Sequence, residues 1–211
     1  HLRDAGPPRG AGDAGGVANR GRLIPAPGDV ARQDDLSSIA GRVSDEAGRL
    51  DVVVISSGIN VAHRSLEATT ADEWRRIVEI NATGSFLVFK AVVPVMKAGG
   101  GGLIVNVSSV AGLRALAMAG VAYSASKFAS ASLGIFAGNE LAEAGIRVTN
   151  VYPGEVNTPI LDERQNPPTP ERRAEMVQPA DVGELVRLIA RLPASASVSE
   201  VTIRPRYQTM V

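Results

Sequence analysis

Short apolar runs alternate with longer amphipathic stretches over most of this chain. Runs of mostly β-branched and aliphatic residues, typical of buried parallel strands, cover residues 51–55 and 103–107, and residues 147–151 are predicted as a further strand. Between them, apolar residues recur every three or four positions, which indicates helices with one buried face. Strands that alternate with helices at this spacing predict a parallel sheet covered on both faces. We therefore expect an α/β fold with a doubly wound, Rossmann-type parallel sheet.

Capping residues and helix breakers mark the other elements. Asp34 or Asp35 is expected to cap a helix that ends near Gly48, and Thr70 to cap a long helix that ends near Lys97. The remaining predictions are helices over residues 123–144 and 179–191, a loop over 155–170, a short strand and turn over 23–30, and a short strand over 201–203. Two prolines weaken the first of these strands, because proline cannot donate to a sheet.

The first 22 residues differ in composition from the rest of the chain. Glycine, alanine, arginine, proline and aspartate dominate residues 1–22, which show neither a helical nor a strand period. This composition predicts a flexible segment. Residues 23–211 are expected to form one domain, since a chain of 211 residues suits a single core.

Composition excludes several classes of function. The formal net charge is zero, so neither the basic surface of a nucleic-acid-binding protein nor a polybasic membrane patch is expected. The absence of cysteine excludes disulfides, thiolate nucleophiles and cysteine-based zinc sites. His1 and His63 are the only histidines and lack metal-ligand spacing, so no metal is expected. No apolar run resembles a membrane span or a signal peptide, which predicts a cytoplasmic protein.

The candidate chemistry lies between residues 81 and 127. Tyr123 and Lys127 share one face of a predicted helix, and an ammonium beside a phenol lowers a pKa that starts near ~10. Ser109 stands at the carboxyl end of a strand, where open α/β sheets place ligands. The alternatives are a packed tyrosine with a solvated lysine, and a serine that caps a turn. Asn81 lies inside a helix too apolar to offer it a solvated position.

Ser109, the Tyr123-x-x-x-Lys127 pair and Asn81 together resemble the signature of the short-chain dehydrogenase/reductase family, over most of the chain. The resemblance implies an NAD(P)-dependent oxidoreductase that transfers a hydride between nicotinamide and a small-molecule carbonyl or alcohol. Asn81, Ser109, Tyr123 and Lys127 would be its catalytic residues, with Tyr123 as the proton carrier. The interval from Ser109 to Tyr123 is slightly longer than is usual in the family, which leaves Ser108 as an alternative to Ser109.

The same resemblance implies NAD or NADP as the cofactor and assigns residues to its different parts. The residues so assigned are Asp29 and Val30 near the adenine, Ser57, Gly58, Asn81, Tyr123 and Lys127 near the riboses, and Pro153, Gly154, Val156 and Thr158 near the nicotinamide carboxamide.

The start of the chain departs from the family pattern, which opens with a strand, a glycine loop and a helix. Gly6, Gly10 and Gly12 match the glycine spacing by count, but Pro7 and Pro8 lack the amides that hold a phosphate. The interval before the next predicted strand is also shorter than the roughly 30 residues of a βαβ unit. We therefore expect an atypical or truncated N-terminus with an incomplete first βαβ unit. A catalytically impaired relative that acts as a structural or interaction module is the alternative function.

The helix that carries Tyr123 is apolar around most of its circumference. A helix of this kind is normally covered on every side. One side can lie on the sheet, and in the family the other packs on a second subunit, so a homodimer or homotetramer is expected.

Overall fold

A computed structural model describes residues 22–208, which contain a four-stranded sheet. Its strands are β1 (Val52–Ile55), β2 (Gly102–Val107), β3 (Ile146–Pro153) and β4 (Glu200–Ile203). All pairings between them are parallel and follow chain order, with Asn106 of β2 opposite Asn150 of β3. Parallel neighbours require a crossover connection, and a helix lies in each of these connections. The parallel α/β sheet predicted from the sequence is confirmed.

Helices precede and connect the strands. In the described residues they are α1 (Gln33–Ala47), α2 (Ala71–Val78), α3 (Gly84–Ala98), α4 (Val121–Glu140), α5 (Pro170–Ala174) and α6 (Pro179–Ala190). A π-helical turn, Glu79–Thr83, joins α2 and α3 into one continuous helix. Short 3-10 turns follow β2, α4 and β3.

Two apolar clusters lie on opposite faces of the sheet. On one face, Ile104 packs with Phe89 and Met96 of α3. On the other face, Leu103 packs with Ile189 of α6. Consecutive residues of a strand point to opposite sides, so helices cover both faces, as expected of a doubly wound sheet.

The long helix begins where the sequence predicts. Thr70 Oγ1 accepts a hydrogen bond from the Glu73 N–H at 3.2 Å, and the Glu73 carboxylate accepts one from the Thr70 N–H at 2.9 Å. By length and composition, residues 71–98 are also apolar enough to cross a membrane, which is not expected from the sequence. Core helices of globular proteins meet the same criterion, and Phe89 and Met96 of this helix are buried against the sheet.

Two predictions near the start of the domain are wrong. Residues 23–30 form no strand, because their prolines lack N–H donors and no neighbouring strand in the described part of the chain is there to pair with them. The N-cap of α1 is Arg32 rather than Asp34 or Asp35. Both aspartates lie in the first turn, where acidic side chains favour the helix dipole, and Asp35 Oδ2 accepts a hydrogen bond from the Asp29 N–H at 2.9 Å.

β1 lies at an edge of the described sheet, although its composition predicts a central strand. It pairs with β2 alone, and Val52 and Val54 remain 40% and 46% exposed. An apolar strand with an unpaired side is expected where a sheet continues. The first βαβ unit is thus incomplete within residues 22–208. The glycine-spaced stretch and the predicted flexibility of residues 1–22 lie, apart from Arg22, outside the described residues.

Candidate active site

β2 ends in two serines whose hydroxyl groups take different partners. Ser108 Oγ donates to the backbone carbonyl of Lys127 at 3.0 Å. Ser109 Oγ instead accepts a hydrogen bond from the Ala111 N–H at 3.1 Å and caps a short turn. The hydroxyl hydrogen of Ser108 therefore fastens α4 to β2, whereas that of Ser109 can donate to Tyr123 or to a molecule beside it.

A close contact between two loops places Tyr123 in the first turn of α4. Gly120 immediately precedes the helix with φ 91°, and a Cβ there would lie 2.8 Å from Arg64 Cβ. Glycine tolerates both the backbone angle and the close approach. The Arg64 carbonyl then accepts a hydrogen bond from the Val121 N–H at 3.0 Å, at the N-terminus of α4.

Lys127 is buried at 4% exposure, and its ammonium lies over the ring of Tyr123, 5.7 Å from the centroid. Nζ donates to the Val107 carbonyl at 3.1 Å. None of the ion pairs within residues 22–208 involves this lysine. Burial lowers the pKa of Lys127 to about 8, because the charged form loses its solvation.

The pKa of the Tyr123 hydroxyl is raised rather than lowered. Burial raises it, while the Ser109 hydroxyl and the Arg64 charge act in the opposite direction. From the sequence, a lowered pKa is expected on account of the nearby lysine. That prediction is wrong, because loss of solvent around the phenol outweighs the groups that favour the phenolate.

Asn81 has no exposed surface, and its side-chain amide is held on all sides. Oδ1 accepts a hydrogen bond from the Ile59 N–H at 2.8 Å, and Nδ2 donates to the Ile59 carbonyl and to Ser126 Oγ, each at 3.0 Å. The residue lies in the π-helical turn, and such turns are frequent at functional sites. The amide therefore ties the loop after β1 to α4, beside Lys127.

A cleft of about 740 Å³ opens at the carboxyl ends of β1, β2 and β3. Residues from each of these strand ends, from α4 and from the loop after β3 line it. The predicted site residues among them are Gly58, Ser109, Tyr123, Lys127, Pro153, Gly154, Val156 and Thr158, together with the alternative Ser108. The fold thus brings most of the predicted site to one place.

The other predicted residues do not line the cleft. Asn81 lies behind it, next to Gly58, while Ser57 Oγ is buried without a hydrogen-bond partner in residues 22–208. Asp29 Oδ1 accepts a hydrogen bond from the Ala31 N–H at 2.9 Å, and Val30 lies against Gly84 of α3. The assignment of Asp29 and Val30 to the adenine stays a prediction.

The cleft residues fit the nicotinamide riboside half of a dinucleotide. A Cβ at Gly58 would lie 3.4 Å from Lys127 Nζ, so the bare backbone keeps the ammonium within reach of a molecule in the cleft. An ammonium has three donors, and within the described residues Lys127 uses one of them, toward Val107. The remaining donors suit a pair of ribose hydroxyl groups. Within residues 22–208, no glycine-rich loop of the kind that binds a pyrophosphate lines the cleft.

A buried asparagine pair beneath α4 is not among the residues predicted from the sequence. Asn106 Nδ2 donates to Asn150 Oδ1 at 2.8 Å and to the Ser130 carbonyl at 2.9 Å. Asn150 Nδ2 donates to the Ala131 carbonyl at 2.8 Å. These bonds fasten the middle of α4 to two adjacent strands. The available signal is an asparagine within each of two strands predicted to be adjacent to helices, because a buried amide requires partners.

Arg64, in the loop after β1, is the other unpredicted residue of the site. Its Nε donates to the Val61 carbonyl at 2.9 Å, and Nη1 donates to the Met118 carbonyl at 2.7 Å. The side chain lines the same cleft as Tyr123. No signal in the sequence marks it, because an arginine in a polar loop is ordinarily solvated.

A sequence model of the short chain dehydrogenase family matches residues 14–168, which include Asn81, Ser109, Tyr123 and Lys127. The chain belongs to the short-chain dehydrogenase family. The family and the Rossmann-type fold predicted from the sequence are thereby confirmed. The match to the short-chain dehydrogenase model begins inside the segment that its composition sets apart.

Named relatives of this short-chain dehydrogenase include two from Sinomonas cyclohexanicum. Trans-4-hydroxycyclohexanecarboxylate dehydrogenase is 41% identical over 132 residues, 63% of this chain and 50% of the relative. Cis-4-hydroxycyclohexanecarboxylate dehydrogenase is 34% identical over 178 residues, 82% of this chain and 71% of the relative. The aligned part of the chain thus spans half the length of the first of these relatives.

A solved structure with the same fold is the alcohol dehydrogenase from the archaeon Thermococcus sibiricus, complexed with 5-hydroxy-NADP. It superposes with a TM-score of 0.74 at 26% identity, and the match covers 87% of this chain and 74% of that one. This short-chain dehydrogenase therefore matches about three quarters of the solved chain.

Proposed function

We propose that this chain transfers a hydride between NAD or NADP and a small-molecule carbonyl or alcohol through Ser109, Tyr123 and Lys127. The observation that carries the proposal is the buried ammonium of Lys127, which shares a cleft with Tyr123 and has no carboxylate partner in residues 22–208. A buried unpaired cation lowers the stability of a fold, so a role in chemistry is the better account of it.

The side chains proposed as catalytic have defined tasks. The raised pKa keeps Tyr123 protonated at neutral pH, so the phenol can donate its proton to a carbonyl oxygen as that oxygen gains charge. Ser109 donates to the same oxygen and stabilises the developing charge. Lys127 offsets the charge left on Tyr123, and Asn81 holds the loop and the helix that position Lys127.

NAD or NADP is the cofactor in this proposal. Lys127 and Tyr123 would hold the nicotinamide ribose, and Gly154, Val156 and Thr158 would lie along the carboxamide. When bound, the cofactor supplies the hydride that amino-acid side chains cannot supply. The Thermococcus sibiricus relative, solved with 5-hydroxy-NADP, supports a nicotinamide dinucleotide.

The substrate is a small molecule with a carbonyl or a hydroxyl group. Aliphatic side chains form much of the cleft wall, including Val110, Leu116, Met118 and Ile160. Two relatives are named as dehydrogenases of hydroxycyclohexanecarboxylates. Alicyclic ketones and the corresponding secondary alcohols are therefore the first compounds to test.

A single-atom substitution tests the proposed role of Tyr123. Tyr123→Phe keeps the ring and removes the proton carrier, and should lower the rate of ketone reduction, followed by NADH or NADPH absorbance, by about a hundredfold or more. Tyr207→Phe removes a hydroxyl that donates to Glu155 at 3.0 Å, and serves as the matched control with near-parent activity. A Tyr123→Phe rate within a few-fold of the parent would overturn the proposal.

The second candidate is a catalytically impaired relative that serves as a structural or interaction module. The exposed valines of β1 favour it, because an open apolar edge can pair with another chain. A fluorescence titration with NADH separates the two candidates. Cofactor binding that Lys127→Met weakens supports the enzyme, and the absence of any binding at millimolar cofactor supports the module.

We also propose that the chain forms a homodimer or homotetramer through α3 and α4. Phe86 on α3 and Phe128 and Phe136 on α4 are 46%, 43% and 64% exposed. Exposed aromatic side chains on adjacent helices are typical of a surface that packs against another subunit. Light scattering at micromolar concentration should give the mass of an oligomer that Phe136→Lys dissociates, and a parent that stays monomeric contradicts the proposal.

A further inference from the structure

We infer that Arg64 binds a carboxylate of the substrate, so that the cleft selects small hydroxy acids and keto acids over neutral alcohols and ketones. The inference rests on the proposed function, because it places the carboxylate in the cleft that contains Tyr123. It adds an anion-binding residue and a substrate class that the Ser109, Tyr123 and Lys127 set does not specify.

The guanidinium of Arg64 is held in place before any substrate arrives. Two carbonyl groups, one from its own loop and one from the loop before α4, accept from Nε and Nη1. Within residues 22–208, Nη2 has no acceptor, and the side chain is half-buried along the cleft. A fixed guanidinium with free donors suits the planar, two-oxygen geometry of a carboxylate.

Within residues 22–208, Arg64 has no acidic partner, whereas Arg164, the other arginine that lines the cleft, has one. Arg164 Nη1 pairs with Glu155 Oε1 at 2.9 Å, and Arg172 lies 3.5 Å from the same carboxylate. No ion pair in the described part of the chain includes Arg64. Burial, and then the charge of Arg164, lower the pKa of Arg64, and a bound anion offsets both effects.

The rest of the cleft offers apolar surface beside these polar groups. Tyr123 and Ser109 line the same cleft as Arg64, whose carbonyl accepts a hydrogen bond from the Val121 N–H at the start of the helix that carries Tyr123. Leu116 and Met118 contribute apolar side chains to the wall. A ligand with one carbonyl or hydroxyl carbon, a short aliphatic or alicyclic frame and one carboxylate matches the chemistry of this lining.

The rival explanation is that Arg64 only fastens two loops together. Asn60 provides the control, because its Nδ2 donates to the Ala119 carbonyl at 3.0 Å and joins the same two loops without a charge. If loop attachment alone mattered, Asn60→Ala and Arg64→Gln would change ligand binding in the same way.

The experiment compares charged and neutral ligands of nearly equal shape. Binding of 3- and 4-oxocyclohexanecarboxylate and of the two matching carboxamides is measured by NMR titration of the full chain, without hydride transfer. The parent should bind at least one carboxylate about tenfold more tightly than its carboxamide, as expected for one hydrogen bond to a charged group. Arg64→Gln should remove this preference, Arg64→Lys should retain part of it, and Asn60→Ala should retain it.

Several outcomes would overturn the inference. These are equal binding of carboxylate and carboxamide by the parent, no binding of either carboxylate at millimolar concentration, a preference that survives Arg64→Gln, and a preference that Asn60→Ala abolishes. If Arg64→Gln does not fold, Arg64→Lys decides: a carboxylate preference equal to that of the parent would overturn the inference, and a reduced preference would support it.

The outcomes for Arg64 and for the proposed redox function are separable. Tyr123→Phe should keep the carboxylate preference while it abolishes turnover. An Arg64-dependent preference in a chain without turnover would remove the redox proposal alone. Turnover of keto acids and neutral ketones with equal KM would remove the Arg64 inference alone.

Discussion

The strand ends beneath α4 and the free edge of β1 contain similar apolar residues. Within residues 22–208 the strand ends are buried and hydrogen-bonded to a helix, whereas the edge is partly exposed. Under α4, Asn106 and Asn150 are buried at 0% and 1% exposure, and their amide groups bond to each other and to the helix. At the edge, Val52 and Val54 remain partly exposed, and one side of the strand has no partner in residues 22–208. The chain therefore holds the proposed reacting groups by its own contacts, whereas the opposite half of a dinucleotide site depends on structure beyond β1.

The largest expected effect concerns cofactor affinity. The 211-residue chain should bind NAD(H) and NADP(H) with millimolar dissociation constants. The cleft residues within 22–208 fit only the nicotinamide half, and Pro7 and Pro8 deprive the glycine spacing at the start of amides that could hold a phosphate. Replacing residues 1–22 by a strand, glycine loop and helix from a family member should tighten binding by several powers of ten. Each hydrogen bond to a phosphate contributes about 1.5–3 kcal/mol to binding, and a tenfold change in the dissociation constant corresponds to about 1.4 kcal/mol. A titration followed by NADH fluorescence measures the dissociation constants of the unmodified and the modified chain. Micromolar binding by the unmodified chain would show that residues 1–22 are functional.

Lys127→Met should abolish most turnover and yet stabilise the fold at neutral pH. The pKa of Lys127 falls from 10.5 to about 8 on burial, which at about 1.4 kcal/mol per unit is a destabilisation of roughly 3 kcal/mol. This cost is present at pH values below about 8, where both folded and unfolded states carry the charge. Between about 8 and 10.5 only the unfolded state keeps the proton, so the parent gains stability as the pH rises.

The measurement for Lys127 is urea unfolding at about pH 7 and about pH 10. The stability advantage of Lys127→Met should be largest at neutral pH and should shrink at the higher pH. A variant that is less stable than the parent at neutral pH would contradict this account. If Lys127→Met loses turnover but has the same free energy of unfolding as the parent, the cost of burying the ammonium is offset more fully than the contacts of Lys127 indicate.

Two glycines one turn apart on α4 test how tightly the helix is fastened. A Cβ at Gly134 would overlap Asn150 Oδ1, whereas a Cβ at Gly138 would lie 3.6 Å from Val148 Cβ, an ordinary contact. Gly134→Ala should lower the free energy of unfolding by about 1–3 kcal/mol through overpacking, and Gly138→Ala should raise it by about 0.5–1 kcal/mol. Equal effects of the two substitutions in urea unfolding would argue against the asparagine pair as the fastening point.

The smallest expected effect lies at the edge of the sheet. Val52→Lys should change the free energy of unfolding by no more than about 0.5 kcal/mol, because the side chain is already partly solvated. It should also reduce self-association, since a lysine discourages pairing along an exposed strand. Val105→Lys, at a fully buried position of β2, should prevent folding. A strongly destabilised Val52→Lys would mean that residues outside the described part of the chain cover this edge.

Local patterns determined most of the elements of the fold. The strand patterns predicted three of the strands, and Thr70 predicted the start of the long helix, because strand burial and helix capping act over a few neighbouring residues. The same local patterns did not predict which strands pair with one another. Residues 23–30 are predicted as a strand and residues 51–55 as a central strand. In the described part of the chain the first form no strand and the second lie at the edge of the sheet, because pairing depends on partners distant in the chain.

The candidate site divides in the same way. The sequence was enough to predict that Tyr123 and Lys127 share a helix face and that a serine lies at a strand end, because both are features of local geometry. The direction of the Tyr123 pKa shift, the Asn106–Asn150 bonds and the place of Arg64 in the cleft were not. Each of these depends on which groups are brought together after the strands pair and how much water they lose, and burial and long-range hydrogen bonding are properties of the tertiary structure alone.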